Sequence, residues 1–254
     1  AASADGQTLV TGGMEGIVKV WSVGTWEGQA SVHEDSSAKS RGVHSVAISH
    51  DGKTVAAGCD RSIHFFDTET SENSRSLIRA HTGEARSISF SPDGKTLASI
   101  GGDMAIKLWD VRKTVLVNEL EGHEKMPTGV VFAPDGHVYS CSEDGTVRVW
   151  DAKKGKKVRA WRAHQTGSVK HLAISANGKV LATAGSDKTV RVWEAETGTE
   201  VCTLVGHRGE VNVVAVSKDG AMVASGGDDN MVKMWTIEGR GDQTMTGHSD
   251  VVKG

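Results

Sequence analysis

A turn dipeptide recurs along this chain at a nearly constant interval, and no other feature constrains the fold as strongly. Asp5-Gly6, Asp51-Gly52, Asp93-Gly94, Asp135-Gly136, Asn177-Gly178 and Asp219-Gly220 follow one another at steps of 46, 42, 42, 42 and 42 residues. A second marker keeps the same spacing: Trp21, Phe66, Trp109, Trp150, Trp193 and Trp235. A third, a small residue followed by His, stands at Ala80-His81, Gly122-His123, Ala163-His164, Gly206-His207 and Gly247-His248. Such a period marks an array of similar units, each too small to bury its apolar face without a neighbour.

The stretch Asn177–Glu194 (NGKVLATAGSDKTVRVWE) shows what one unit contains. Asn177-Gly178 predicts a type I′ hairpin turn, which needs positive φ at both positions. Val180–Thr183 reads as a strand, Gly185–Lys188 as a second turn, and Thr189–Trp193 alternates as a half-buried strand does. Apolar runs such as Ser87–Ser91 and Val213–Ser217 supply a strand before the first turn, and Glu200–Leu204 one after the Trp. Each unit therefore carries four short strands.

These markers resemble the WD-repeat β-propeller family. The resemblance rests on the Gly-His pair, on the Ser-Pro-Asp-Gly turn intact at Ser91–Gly94, and on the Trp-Asp ending intact at Trp109-Asp110 and Trp150-Asp151, and it covers nearly the whole chain. It implies an all-β propeller of four-stranded antiparallel blades in a single domain, residues 1–254. Six blades are counted. Gly247–Gly254 reads as the start of a unit and Ala1–Gly6 as the end of one, so the ring is expected to close by pairing of a C-terminal strand with the N-terminal hairpin. A fragment of a seven-bladed ring is the alternative.

The family also implies a buried hydrogen-bonded set of His, Ser or Thr, Asp and Trp in each blade, giving the indole N–H its partner. By position the sets are His81, Ser99, Asp103 and Trp109; His123, Ser140, Asp144 and Trp150; His164, Thr183, Asp187 and Trp193; and His207, Ser225, Asp229 and Trp235. The first unit has Thr11, Glu15 and Trp21, with His248 as its one available His. The second departs most: Phe66 replaces Trp, Ala56 replaces Ser or Thr, no His stands at the expected place, and Asp60 is left without those partners. His, Asp and Ser together suggest a catalytic triad, but four copies at one period without a nucleophile elbow are structural pins.

Propellers act through loops on a rigid scaffold, and partners of the family often dock around the entry to each innermost strand. The corresponding positions are Glu84 and Arg86, Met126 and Thr128, Ser168 and Lys170, Glu210 and Asn212, with Gly42 and His44 in the irregular unit and Val251 and Lys253 at the end. The residue before each turn Asp adds Glu143, Ser186 and Asp228. This mixed-charge ring suits a protein or peptide partner. Basic residues in Val111–Val117 and Lys153–Val158 lie near outer strands, and Trp26 and Trp161 stand off the repeat position as packing residues.

The expected function is thus a non-enzymatic protein-interaction scaffold, with no catalytic, cofactor or metal residues. An accessory domain of a larger multidomain protein is the alternative. A propeller hydrolase would need acids or His clustered on innermost strands, where His171 stands alone. A formal charge of −3 argues against binding nucleic acid by bulk charge, and no apolar run is long enough for a membrane span. Cys59, Cys141 and Cys202 have neither disulfide nor metal spacing, and fit a reducing compartment. With no signal peptide in view, a cytoplasmic monomer is expected.

Overall fold

The computed structural model describes residues 1–25, 28–33, 42–70, 73–77, 79–237 and 242–253. Trp26 and residues 34–41, whose sequence EDSSAKSR reads as a solvated loop, lie outside them. Two compact units divide the chain, Ala1–Glu121 and Gly122–Gly254.

The first unit holds three antiparallel sheets, each a run of consecutive strands. Blade one has β1 (Thr8–Gly12), β2 (Ile17–Ser22) and β3 (Gly28–His33); blade two has β4 (Ser45–Ile48), β5 (Thr54–Gly58), β6 (Ile63–Asp67) and β7 (Asn73–Leu77). Blade three has β8 (Ala85–Phe90), β9 (Thr96–Gly101), β10 (Ile106–Asp110) and β11 (Val115–Leu120). The second unit holds three four-stranded blades. They are β12 (Pro127–Phe132), β13 (His137–Ser142), β14 (Thr146–Asp151) and β15 (Lys156–Arg162); β16 (Val169–Ile174), β17 (Val180–Gly185), β18 (Thr189–Glu194) and β19 (Thr199–Val205); and β20 (Val211–Val216), β21 (Met222–Gly227), β22 (Val232–Thr236) and β23 (Asp242–Met245). No helix long and apolar enough to cross a membrane is present among the described residues.

Blades pack face on face within each unit. Val10, Val18 and Val20 of blade one bury against Val43, Val55 and Phe66; Tyr139, Val147 and Val149 of blade four bury against Leu172, Leu181 and Trp193. In blades two to five the second strand is buried on both faces after its first residue, as expected of a strand covered on both sides. A repeated joint fixes the approach of one blade to the next. The N–H of the first apolar residue entering an innermost strand donates to a carbonyl of the preceding blade: Val43 to Gly13 at 3.0 Å and Ala85 to Cys59 at 2.8 Å. A glycine floors the contact, since a Cβ on Gly12 would lie 2.4 Å from Val43 Cγ1. Val252 makes the same joint on blade six, donating to Gly227 O at 3.2 Å with its Cγ1 2.4 Å from a Cβ on Gly226.

Two expectations need correction. Blade one has three strands among the described residues, where a fourth from the C-terminal end was expected. The edge of β1 is held by Ala1–Ser3: Ala2 bridges Leu9, and Val10 N–H donates to Ala1 O at 2.7 Å. Val251–Lys253 form no strand. The Asn177-Gly178 turn is also not type I′. Gly178 has φ of 72°, but Asn177 is not among the residues with positive φ. Gly178 N–H closes the turn on Ser175 O at 2.9 Å, while Asn177 Oδ1 takes Lys179 N–H and the Ser175 hydroxyl. Asparagine here acts through its side chain, as an Asx turn does.

Candidate functional site

Each buried set is assembled as a chain of hydrogen bonds. In blade four, Trp150 Nε1–H donates to Ser140 Oγ at 2.8 Å, Ser140 lies 2.8 Å from His123 Nε2, and His123 Nδ1 lies 2.9 Å from Asp144. The Trp-to-hydroxyl bonds are 2.8 Å at Trp109–Ser99, 3.0 Å at Trp193–Thr183 and 2.9 Å at Trp235–Ser225. His81, His164 and His207 reach Asp103, Asp187 and Asp229 at 2.7, 2.9 and 2.9 Å. A glycine makes room for the ring: a Cβ on Gly185 would meet His164 Nδ1 at 2.2 Å. In blade one, Trp21 donates to Thr11 at 2.9 Å.

The electrostatics suit pins. Burial pushes the His81 and His164 imidazoles below the ordinary value, although Asp103 and Asp187 pull the other way. Burial raises the Asp144 carboxyl, but hydrogen bonds from His123 and Thr146 outweigh it and hold the group well below the usual carboxylate range. In the four complete sets the hydroxyls of Ser99, Ser140, Thr183 and Ser225 are buried and already engaged by both Trp and His, so none is placed as a nucleophile. Among the described residues no group of three or more His, Cys, Asp and Glu could hold a metal. Burial pushes the Cys141 thiol up to about 12, which leaves it unreactive.

A fifth member of the sets escaped sequence reasoning. Two residues before each repeat Trp stands a cation: Lys19, Lys107, Arg148, Arg191 and Lys233. Lys107 binds Asp103 at 2.7 Å, Arg148 and Arg191 lie 3.8 Å from Asp144 and Asp187, and Lys19 and Lys233 lie over their own Trp rings. The recurring string of Lys or Arg between two apolar residues, followed by Trp, was its signal. In blade two this place holds His64, stacked on Phe66 and held between Ser62 at 2.7 Å and Ser76 at 2.9 Å. Asp60 does have a histidine partner there, His44 at 3.1 Å.

The loop-face residues owe their direction to β-bulges. Pairing in β8, β12, β16 and β20 skips one residue, and the skipped residues are Arg86, Thr128, Lys170 and Asn212. A bulge takes a side chain out of the ladder and re-aims it. In the first unit Arg86 pairs with Glu84 at 3.2 Å, both exposed. Two exposed methionines of that unit, Met14 and Met104, sit in the turns at this same end and carried no sequence marker. In the second unit the bulged residues reach the following element: Thr128 donates to Val169 O at 2.7 Å, Lys170 binds Glu210 at 2.8 Å, and Asn212 donates to Asp228 at 2.8 Å and Val252 O at 3.2 Å. Thr128 and Asn212 are thus half-buried inter-blade links. Glu143, Asp228 and Lys253 are exposed; Met126 and Ser168 are half-buried, and Ser168 N–H binds Ser186 Oγ at 2.9 Å.

Between blades four and five the loops enclose an open groove of about 610 Å³. It is lined by Glu124 and Lys125 before β12, Glu143 and Asp144 in the β13–β14 turn, and Arg162 with Gln165–Ser168 before β16. Both charge signs and several neutral hydrogen-bonding side chains face it.

A family model described as "WD domain, G-beta repeat" matches residues 1–22, 30–67, 72–110, 114–151, 155–194 and 198–236. The chain belongs to the WD-repeat family. After the first, each matched stretch of this WD-repeat chain runs from the outer strand of one blade through the first three strands of the next. Periodic tryptophan protein 2 homolog of Dictyostelium discoideum is 28% identical over 182 residues, 70% of this chain and 19% of that protein. Nuclear distribution protein nudF of Aspergillus niger is 32% identical over 160 residues, covering 61% and 36%. Target of rapamycin complex subunit wat1 of Schizosaccharomyces pombe is 23% identical over 175 residues, covering 68% and 54%. The chain therefore spans 19–54% of the length of these relatives.

Proposed function

We propose that this chain is a non-enzymatic interaction scaffold whose loop face docks a protein or peptide partner, with the groove between blades four and five as the main contact. That groove carries the proposal. It is concave, bears both charge signs, and is built on loops pinned by buried hydrogen-bonded sets, so its shape is held before a partner arrives. Lys125, Glu143 and Gln165 are exposed and can reach a partner's polar groups without breaking a buried bond. Wat1 is named as a complex subunit, which supports a scaffold role here.

The test is photo-crosslinking from Gln165, compared with Ala176 at the other end of the same blade. A partner should be captured from position 165 and lost in Lys125→Glu/Glu143→Lys, a variant checked for unchanged circular dichroism. Capture from position 176 alone, or equal capture by the variant, would move the docking site off this groove.

A further inference from the structure

The outer strand of blade four differs from every other outer strand. β15 reads KKVRAWR, with four cations and no acid, and the turn before it adds Lys153 and Lys154. The others, GQASVH, NSRSL, VLVNEL, TEVCTLV and DQTM, carry at most one charged residue each. Asp151 shapes the turn by accepting the N–H groups of both Lys153 and Lys154 at 3.0 Å, so the two side chains leave the same short loop. Lys154 returns to Asp151 at 3.3 Å. Among the described residues Lys153, Lys156, Lys157, Arg159 and Arg162 form no salt bridge, and four of these five are exposed.

The backbone is available as well. β15 ends its sheet and pairs with β14 alone, so its outer N–H and C=O groups face no strand. Its pairing skips Val158, which the bulge turns outward to 53% exposure. A free edge offers a peptide regular hydrogen bonds, and its seven residues span roughly 24 Å. Lysines along an edge repel a second copy of the same strand, and the same charges attract an acidic one.

We infer that β15 is a second docking surface, which takes an extended acidic peptide segment by strand addition, with Lys153, Lys156 and Lys157 reading its carboxylates. A single-stranded nucleic acid would want an aromatic stacking platform. Here Trp161 is committed to Trp193, at 5.9 Å between ring centroids, and is not free to stack. This surface is independent of the loop-face groove.

The experiment measures binding of a fluorescein-labelled ten-residue peptide of alternating glutamate and threonine. Its competitors are the same peptide N-methylated at every second residue, a single-stranded thymidine oligonucleotide, and phosphatidylserine vesicles. The unmethylated peptide should compete best. Lys153→Glu/Lys156→Glu/Lys157→Glu, side chains that hold nothing in the fold, should weaken it at least tenfold with an unchanged thermal midpoint. Lys125→Glu/Glu143→Lys should bind it as the parent does. No binding by the parent, equal binding by the triple variant, or equal competition by the methylated peptide would overturn the assignment. Tighter binding of the oligonucleotide or the vesicles would replace it with a general polyanion surface.

Discussion

Removing one hydroxyl from blade four should cost far more than its size suggests. Ser140 is fully buried, and its Oγ is shared by Trp150 Nε1 and His123 Nε2, each at 2.8 Å. Ser140→Ala leaves two buried polar groups unpaired at about 1–3 kcal/mol each, so a loss of about 3 kcal/mol is expected. Trp150→Phe leaves the hydroxyl bonded to His123. It loses about 1 kcal/mol for the hydrogen bond and about 1–2 kcal/mol for unfilled volume. In the double variant there is no indole N–H left to strand, so its cost should fall about 2 kcal/mol short of the sum of the singles. Blade two shows the end point, with Ala56 and Phe66 both buried at the matching positions. Equilibrium unfolding in urea, followed by far-ultraviolet circular dichroism, reads all three variants. If the two losses add to within about 0.5 kcal/mol, or Ser140→Ala costs under about 1 kcal/mol, the hydroxyl is not the hub of the set.

Two further outcomes follow from the same geometry. Stability should fall on acidification in two windows. His81 and His164 are held neutral in the fold, so below about 6.5 the unfolded chain takes up protons that the fold refuses; below about 3.9 the depressed carboxyls of Asp103, Asp144 and Asp187 act in the same direction. A thermal midpoint that rises between pH 7.5 and 5.5 would mean that the histidines are charged in the fold. Gly185→Ala should cost about 1–3 kcal/mol by forcing its methyl into the His164 ring, while Gly24→Ala, with open space around it, should stay within about 0.5 kcal/mol of the parent; differential scanning calorimetry compares the two.

The sequence made the blades legible because their markers are obligatory. An indole N–H must be paired, and all six Asp/Asn-Gly turns place their glycine at positive φ. Reading Trp109 and Trp150 back to Ser99 and Ser140 therefore located atoms that do touch. The loop-face positions were found as well, but not their use. A bulge shifts pairing by one residue without altering the apolar pattern, so nothing in the string told Thr128, turned toward Val169, from Arg86, which stays exposed. The cation two places before each Trp was visible but reads as the polar half of an alternating strand. In blade two the missing His, Ser and Trp hid a substitute, because His44 reaches Asp60 from just before β4 and His64 reaches Ser62 and Ser76 from β6. The turn at Asn177 was misread because the dipeptide suits two geometries, and the Ser175 hydroxyl decides between them.

The joint between blades bears on how such a chain can grow. Gly12 with Val43 and Gly226 with Val252 use one geometry at opposite ends of the sequence, and Ala85 donates to Cys59 in the same way. Blade two carries both halves of the coupling: it enters with Val43 and offers the Cys59 carbonyl to Ala85. Duplicating that blade would leave each of its couplings with a matching half. Blade number is then open to change by simple recombination, while the chemistry inside a blade stays under tight constraint.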